Sequence, residues 1–74
     1  MIYYIEYIPP TDEDNVEYAT IQNHFGNYKP NEVTKVEYYD YTEYTIEIEH
    51  SGPIHEALAE GIRLITASIK DEKP

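Results

Sequence analysis

Residues 33–49 read VTKVEYYDYTEYTIEIE, and the pattern of this stretch decides what kind of fold the chain can form. From Tyr44 onward the residues alternate. Tyr44, Ile46 and Ile48 point one way and Thr45, Glu47 and Glu49 the other, as in a strand buried on one side. The preceding arm repeats the pattern, with Val36 and Tyr38 on one face and Lys35, Glu37 and Tyr39 on the other. Together the arms predict a β-hairpin. Keeping both apolar sets on one face pairs Tyr38 with Ile46 and Val36 with Ile48, because a one-residue slip turns every side chain over. That register sets Glu37 across from Glu47, and like charges directly opposite destabilise a sheet. A sequence selected for stability alone rarely does this, so the acidic face is read as a working surface.

Working outward, Ile2–Ile8 (IYYIEYI) predicts a strand ended by Pro9-Pro10, with apolar residues on both faces and only Glu6 interrupting. Residues 11–25 carry two signals. Asp14-Asn15-Val16-Glu17 has capping-box spacing, Asp12, Glu13 and Asp14 suit the positive end of a helix dipole, and Gly26 suits a helix end. Val16, Tyr18 and Thr20 also alternate as in a strand. The helix is the favoured reading. After a loop containing Pro30, Ser51-Gly52-Pro53 announces a last helix, with a stripe of Ile54, Leu58, Ile62, Ile65 and Ile69 flanked by Ala57, Gly61, Leu64 and Ser68. Gly61 in mid-helix implies close approach to the sheet, and the helix is expected to end near Lys70 with residues 71–74 frayed.

The expected order is therefore β-α-β-β-α: a two-layer α+β sandwich with a three-stranded sheet, like a ferredoxin-like fold lacking its last strand. In that layout Ile2–Ile8 keeps an open apolar edge, which predicts a homodimer through Tyr3, Ile5 and Tyr7.

The chain is one small domain of 74 residues, without cysteine and hence without disulfides or thiolate metal sites. Its net charge of −10 sets 15 acids against five scattered bases, Lys29, Lys35, Arg63, Lys70 and Lys73. That balance argues against nucleic acid or an anionic membrane as a direct partner. The N-terminal segment lacks the basic flank and length of a signal peptide or membrane span, so the expected location is the cytoplasm.

No catalytic motif is present, and the chain is not read as an enzyme. His50 and His55 with Glu56 fall short of a zinc set without distant His24, and an EF-hand loop from Asp12 fails where Glu17 and Asn23 stand, so no cofactor or metal is expected. What remains is nine tyrosines, a residue suited to binding surfaces, interleaved with acids. Residues two apart on a strand project ~6.5 Å apart on one face, a spacing comparable with successive phosphates of a nucleic acid. Glu37, Tyr39, Asp40, Tyr41, Glu43, Glu47 and Glu49 are the candidate partner-binding residues, with Asp12, Glu13, Asp14 and Glu17 as a second patch.

In charge, tyrosine content and length the chain resembles the small acidic bacteriophage proteins that mimic DNA. That resemblance implies a stoichiometric inhibitor in the host bacterial cytoplasm, seated on the basic DNA-binding surface of a host protein such as an HU-type nucleoid protein. The segment EALAEGIRLI also resembles the helix of HicB-like antitoxins. This implies the alternative of an antitoxin or immunity-type protein neutralising a basic toxin or nuclease.

Overall fold

A computed structural model describes residues 1–72. The order is β1 (Ile2–Ile8), β2 (Tyr18–Asn23), β3 (Thr34–Glu37), β4 (Thr42–Glu49) and α1 (Ile54–Asp71). The strands form one sheet in the order β2-β1-β4-β3, antiparallel at every junction. One face is covered by α1 and the other is open. The α+β class stands, but the sheet has four strands and the first helix of the expected order is absent.

Residues 11–25 are the correction. Asp14 is not a helix cap: its Oδ1 accepts the Val16 N–H at 3.1 Å, and its own N–H donates to Thr11 Oγ1 at 2.9 Å. These local bonds close a turn. The chain then enters β2, where the alternation of Tyr18 and Thr20 prevails over the capping signal. The reason is non-local. β1 is apolar on both faces and has two ladder sides to satisfy, and β2 supplies the partner that β4 cannot. With no intervening helix, the right-handed β-α-β crossover and the ferredoxin-like likeness both fall away.

The placement of β1 removes the open edge on which the expected dimer contact through Tyr3, Ile5 and Tyr7 rested. It lies between β2 and β4, so it has no free edge. Tyr3, Ile5 and Tyr7 pair with Ile48, Ile46 and Tyr44 of β4, and all six are in the buried core with Ala57 and Ile65. They are unavailable to a second chain.

The hairpin exists in a different register. Lys35 pairs with Tyr44, Val36 with Glu43 and Glu37 with Thr42. This is the odd-parity alternative, and it turns the β3 side chains over. Tyr44, Ile46 and Ile48 are buried as expected, whereas Val36 and Tyr38 lie on the open face, 39% and 48% exposed. Two causes combine. The Tyr39-Asp40 turn closes tightly, with the Tyr38 N–H on the Tyr41 carbonyl at 2.8 Å, and a short loop costs less closure entropy than the longer one the other register needs. Moreover, α1 rests mainly on β1 and β4, so the helix would give Val36 little cover on that side. Glu37 therefore never meets Glu47, which stands across from Tyr4 of β1.

α1 buries the expected face, but its centre falls on the flanking small residues and Ile65 rather than along the whole isoleucine stripe. Ala57, Gly61 and Ile65 are its buried residues, and Leu58, Ile62, Leu64 and Ile69 pack around them. Ile54 is 52% exposed, because the first turn overhangs the sheet. Pro53 is the N-cap rather than a first-turn residue, and its carbonyl accepts the N–H groups of Glu56 and Ala57. A Cβ on Gly61 would fall on Ile5 Cδ1, so the glycine lets helix and sheet meet at that distance. The helix runs to Asp71 and Glu72 caps it, one residue beyond the expected end near Lys70. Residues 73–74 lie outside the described residues. Among the described residues no helix is long and apolar enough to cross a membrane.

Candidate functional site: an acidic, tyrosine-rich end

Because β1 runs opposite to β2 and β3 opposite to β4, the β1–β2 loop and the β3–β4 turn emerge at the same end of the sheet. There the chain gathers Pro9, Thr11, Glu13 and Asp14 from one loop with Tyr38, Tyr39, Asp40 and Tyr41 from the other. Between them lies a groove of about 340 Å³ floored by Ile8, Val16, Tyr18 and Tyr41, with Asp14 and Asp40 among its walls. Among the described residues no lysine, arginine or histidine lines it. Tyr38 and Tyr41 stack with centroids 4.7 Å apart, and Tyr39 projects fully exposed from the tip. Burial raises the Tyr41 hydroxyl above its usual range, and Tyr38, Glu43 and Asp40 add to the shift by their charge.

The open face continues this field. Glu6, Glu43, Glu47 and Glu49 share it, surrounding Tyr4. The Tyr4 hydroxyl is raised by burial first and next by Glu6. A Thr45 hydrogen bond opposes this, and Glu43 and Glu47 add to it.

The nominated residues thus divide. Asp12, Glu13, Asp14, Tyr39, Asp40 and Tyr41 come together at the loop end, with Glu43 beside them on the open face. Glu47 is on that face but engaged: its Oε2 lies 2.7 Å from His24 Nε2, and its Oε1 accepts the Lys29 N–H at 3.5 Å. Glu49 is exposed at the far end, after the loop end has been left behind. Glu37 is on the helix side, where Lys35 Nζ lies 3.3 Å from it and 2.6 Å from Glu72. Glu17 accepts the Tyr7 hydroxyl at 2.7 Å and so helps to hold the core. Burial and this bond push the Tyr7 hydroxyl up to about 12. The row Glu37–Glu47–Glu49 is therefore not formed. Sequence reading missed Glu6, Tyr4, Tyr18 and Tyr38. The first two were visible as the outward residues of β1, but only if β1 is central.

The histidines separate as well. His24 faces Glu47, the Gly52 N–H donates to His50 Nδ1 at 3.0 Å, and His55 sits exposed beside Glu56. Among the described residues no group of three or more His, Asp or Glu is placed to hold a metal ion.

With this geometry in view, comparison with family models, curated proteins and solved structures finds no match. The site must speak for itself. An end bearing several carboxylates and flat, rigid phenols can attract a cationic surface over distance and then hold it by stacking against lysine stems and arginine planes.

Proposed function

We propose that this protein is an inhibitor of phage type that mimics DNA. Its acidic, tyrosine-bearing end docks on the basic DNA-binding surface of a host protein, of which an HU-type nucleoid protein is the example, and keeps DNA away. The observation that carries the reading is the convergence of Glu13, Asp14, Asp40 and Glu43 around Tyr38, Tyr39 and Tyr41, with Asp12 next to Glu13 in the same loop. None of these five carboxylates has an ion-pair partner among the described residues. Carboxylates placed merely for solubility would be interspersed with cations, whereas here Lys29, Lys35 and Arg63 are each paired with an acid elsewhere. Steering by such a field gives fast association that weakens steeply with salt.

The test is competition. Labelled duplex DNA bound to a purified HU-type protein is titrated with this chain while anisotropy is read. Displacement at near-stoichiometric amounts, lost with Asp40→Asn plus Glu43→Gln plus Glu13→Gln, supports the proposal. Failure to displace DNA from HU-type or other nucleoid proteins at low salt, or displacement indifferent to the triple variant, overturns it.

A further inference from the structure

The two edges of the sheet are unlike. β3 is four residues long, and its outward backbone groups belong to Lys35 and Glu37, charged residues of the kind that guard an edge. β2 is six residues long, YATIQN, and carries no charge and no proline. The His24 N–H donates to the Ile2 carbonyl at 2.9 Å. Bonded and non-bonded pairs alternate along an antiparallel ladder, so Tyr18, Thr20 and Gln22 also turn their backbone groups towards β1. Ala19, Ile21 and Asn23 turn theirs outward, where the sheet ends. Because α1 rests on β1 and β4, β2 has no cover from the helix layer either, and only Ile21 of its six side chains is partly buried.

We infer that β2 is the surface through which two copies of this chain associate, edge to edge and antiparallel, with the twofold axis through Ile21. The same residues meet themselves in this arrangement, as an isologous interface requires. The Ile21 groups bond to those of its mate, and Ala19 and Asn23 bond reciprocally across the axis, so every outward donor and acceptor of β2 is used. On the open face Thr20 stands across from Gln22 and Tyr18 from His24. On the helix side Ile21 meets its mate and Ala19 meets Asn23. No carboxylate faces another. This matters because each copy carries a charge of −10, and β2 offers a six-residue edge free of charged side chains, against the four residues of β3 with Lys35 and Glu37 outward. Centring the axis on Thr20 would leave Asn23 against Glu17 and lose bonds. A parity slip would put the two helices on opposite faces, which a twofold axis normal to the sheet forbids.

Sedimentation and backbone amide exchange of the intact chain provide the test. A mass rising from 8.7 kDa to twice that value with concentration is expected. The amides of Ala19, Ile21 and Asn23 should gain protection in step, while those of Lys35 and Glu37 on the other edge stay fast. Ala19→Pro removes an N–H that points away from β1, so the fold keeps its ladder while the dimer loses two bonds. Its Kd should rise roughly thirtyfold at ordinary bond strengths. A chain that stays monomeric to ~1 mM overturns the inference. So does a dimer whose Ala19, Ile21 and Asn23 amides exchange as fast as those of Lys35 and Glu37, whether or not the proline variant folds.

Discussion

Gly61→Ala tests the closest approach in the molecule. Alanine in place of glycine within a helix gains up to ~1 kcal/mol from backbone entropy. Here, however, the new methyl falls on Ile5 Cδ1 and stands 3.5 Å from Ile46 Cγ2. Ile5 is fully buried (0% exposed), so its δ-methyl has no solvent to swing into. Overpacking of this kind costs ~1–3 kcal/mol, and the net expectation is a loss of about 1–2 kcal/mol. Ile5→Val removes the obstructing atom at a cost of ~0.5–1.5 kcal/mol by itself. In the double variant the alanine methyl occupies the space that Cδ1 vacated, so the combined loss should fall short of the sum by ~1–2 kcal/mol. Urea unfolding followed by far-ultraviolet circular dichroism, at one protomer concentration throughout, gives the four stabilities. Additivity within ~0.5 kcal/mol would refute the reasoning, because it would mean that α1 does not touch β1 at Gly61.

High pH addresses the core from another side. Tyr7 is raised by its burial, by the hydrogen bond it donates to Glu17 and by that carboxylate's charge, to about 12 from an ordinary 10.0. Folded protein therefore keeps the proton longer than unfolded chain. Its contribution is whole below pH 10 and drains away between 10 and about 12, worth at most ~2–3 kcal/mol. Unfolding midpoints along that range should fall, and less so in Glu17→Gln; a flat profile would contradict the Tyr7–Glu17 pairing. Tyr39→Ala removes the fully exposed tip. It should leave stability within ~0.5 kcal/mol yet weaken capture of the proposed basic partner by ~1–2 kcal/mol, as calorimetry would show. Glu47→Gln, whose carboxylate is already engaged by His24, should quicken amide exchange at Asn31, which donates to the Glu47 carbonyl at 2.9 Å. Partner affinity should change far less in this variant than in Asp40→Asn with Glu43→Gln.

What could be read from the chain was what one element encodes within itself. α1 announced which side it buries, its close-packed glycine and its end to within a residue, because helical period is a local property; that the first turn leaves Ile54 exposed was not legible. β4 likewise showed which of its faces is buried. The errors share one origin. Whether Asp14 caps a helix or closes a turn, and which face of β3 is wet, depends on what lies beside them in space. A central β1 needs a second neighbour and a helix two strands wide leaves the margins bare, and neither fact is written in residues 11–25 or 33–38. The candidate site suffered the same way. Its residue types were evident, but its shape follows from two loops meeting at one end, which only the strand order creates. The row of three glutamates dissolved because the register moved Glu37 to the helix side.

The position of β1 bears on how the molecule resists being pulled. The residue before it is already fastened, since the Met1 ammonium donates to the His50 carbonyl at 3.1 Å. A force applied there would have to shear the ladders to β2 and β4 together, with Ile5 pinned beneath Gly61. Load on β3, held by four pairings to β4 alone, would instead unzip one bond at a time. The molecule should accordingly yield from its margins inward, with the strand nearest the start of the chain the last to give way.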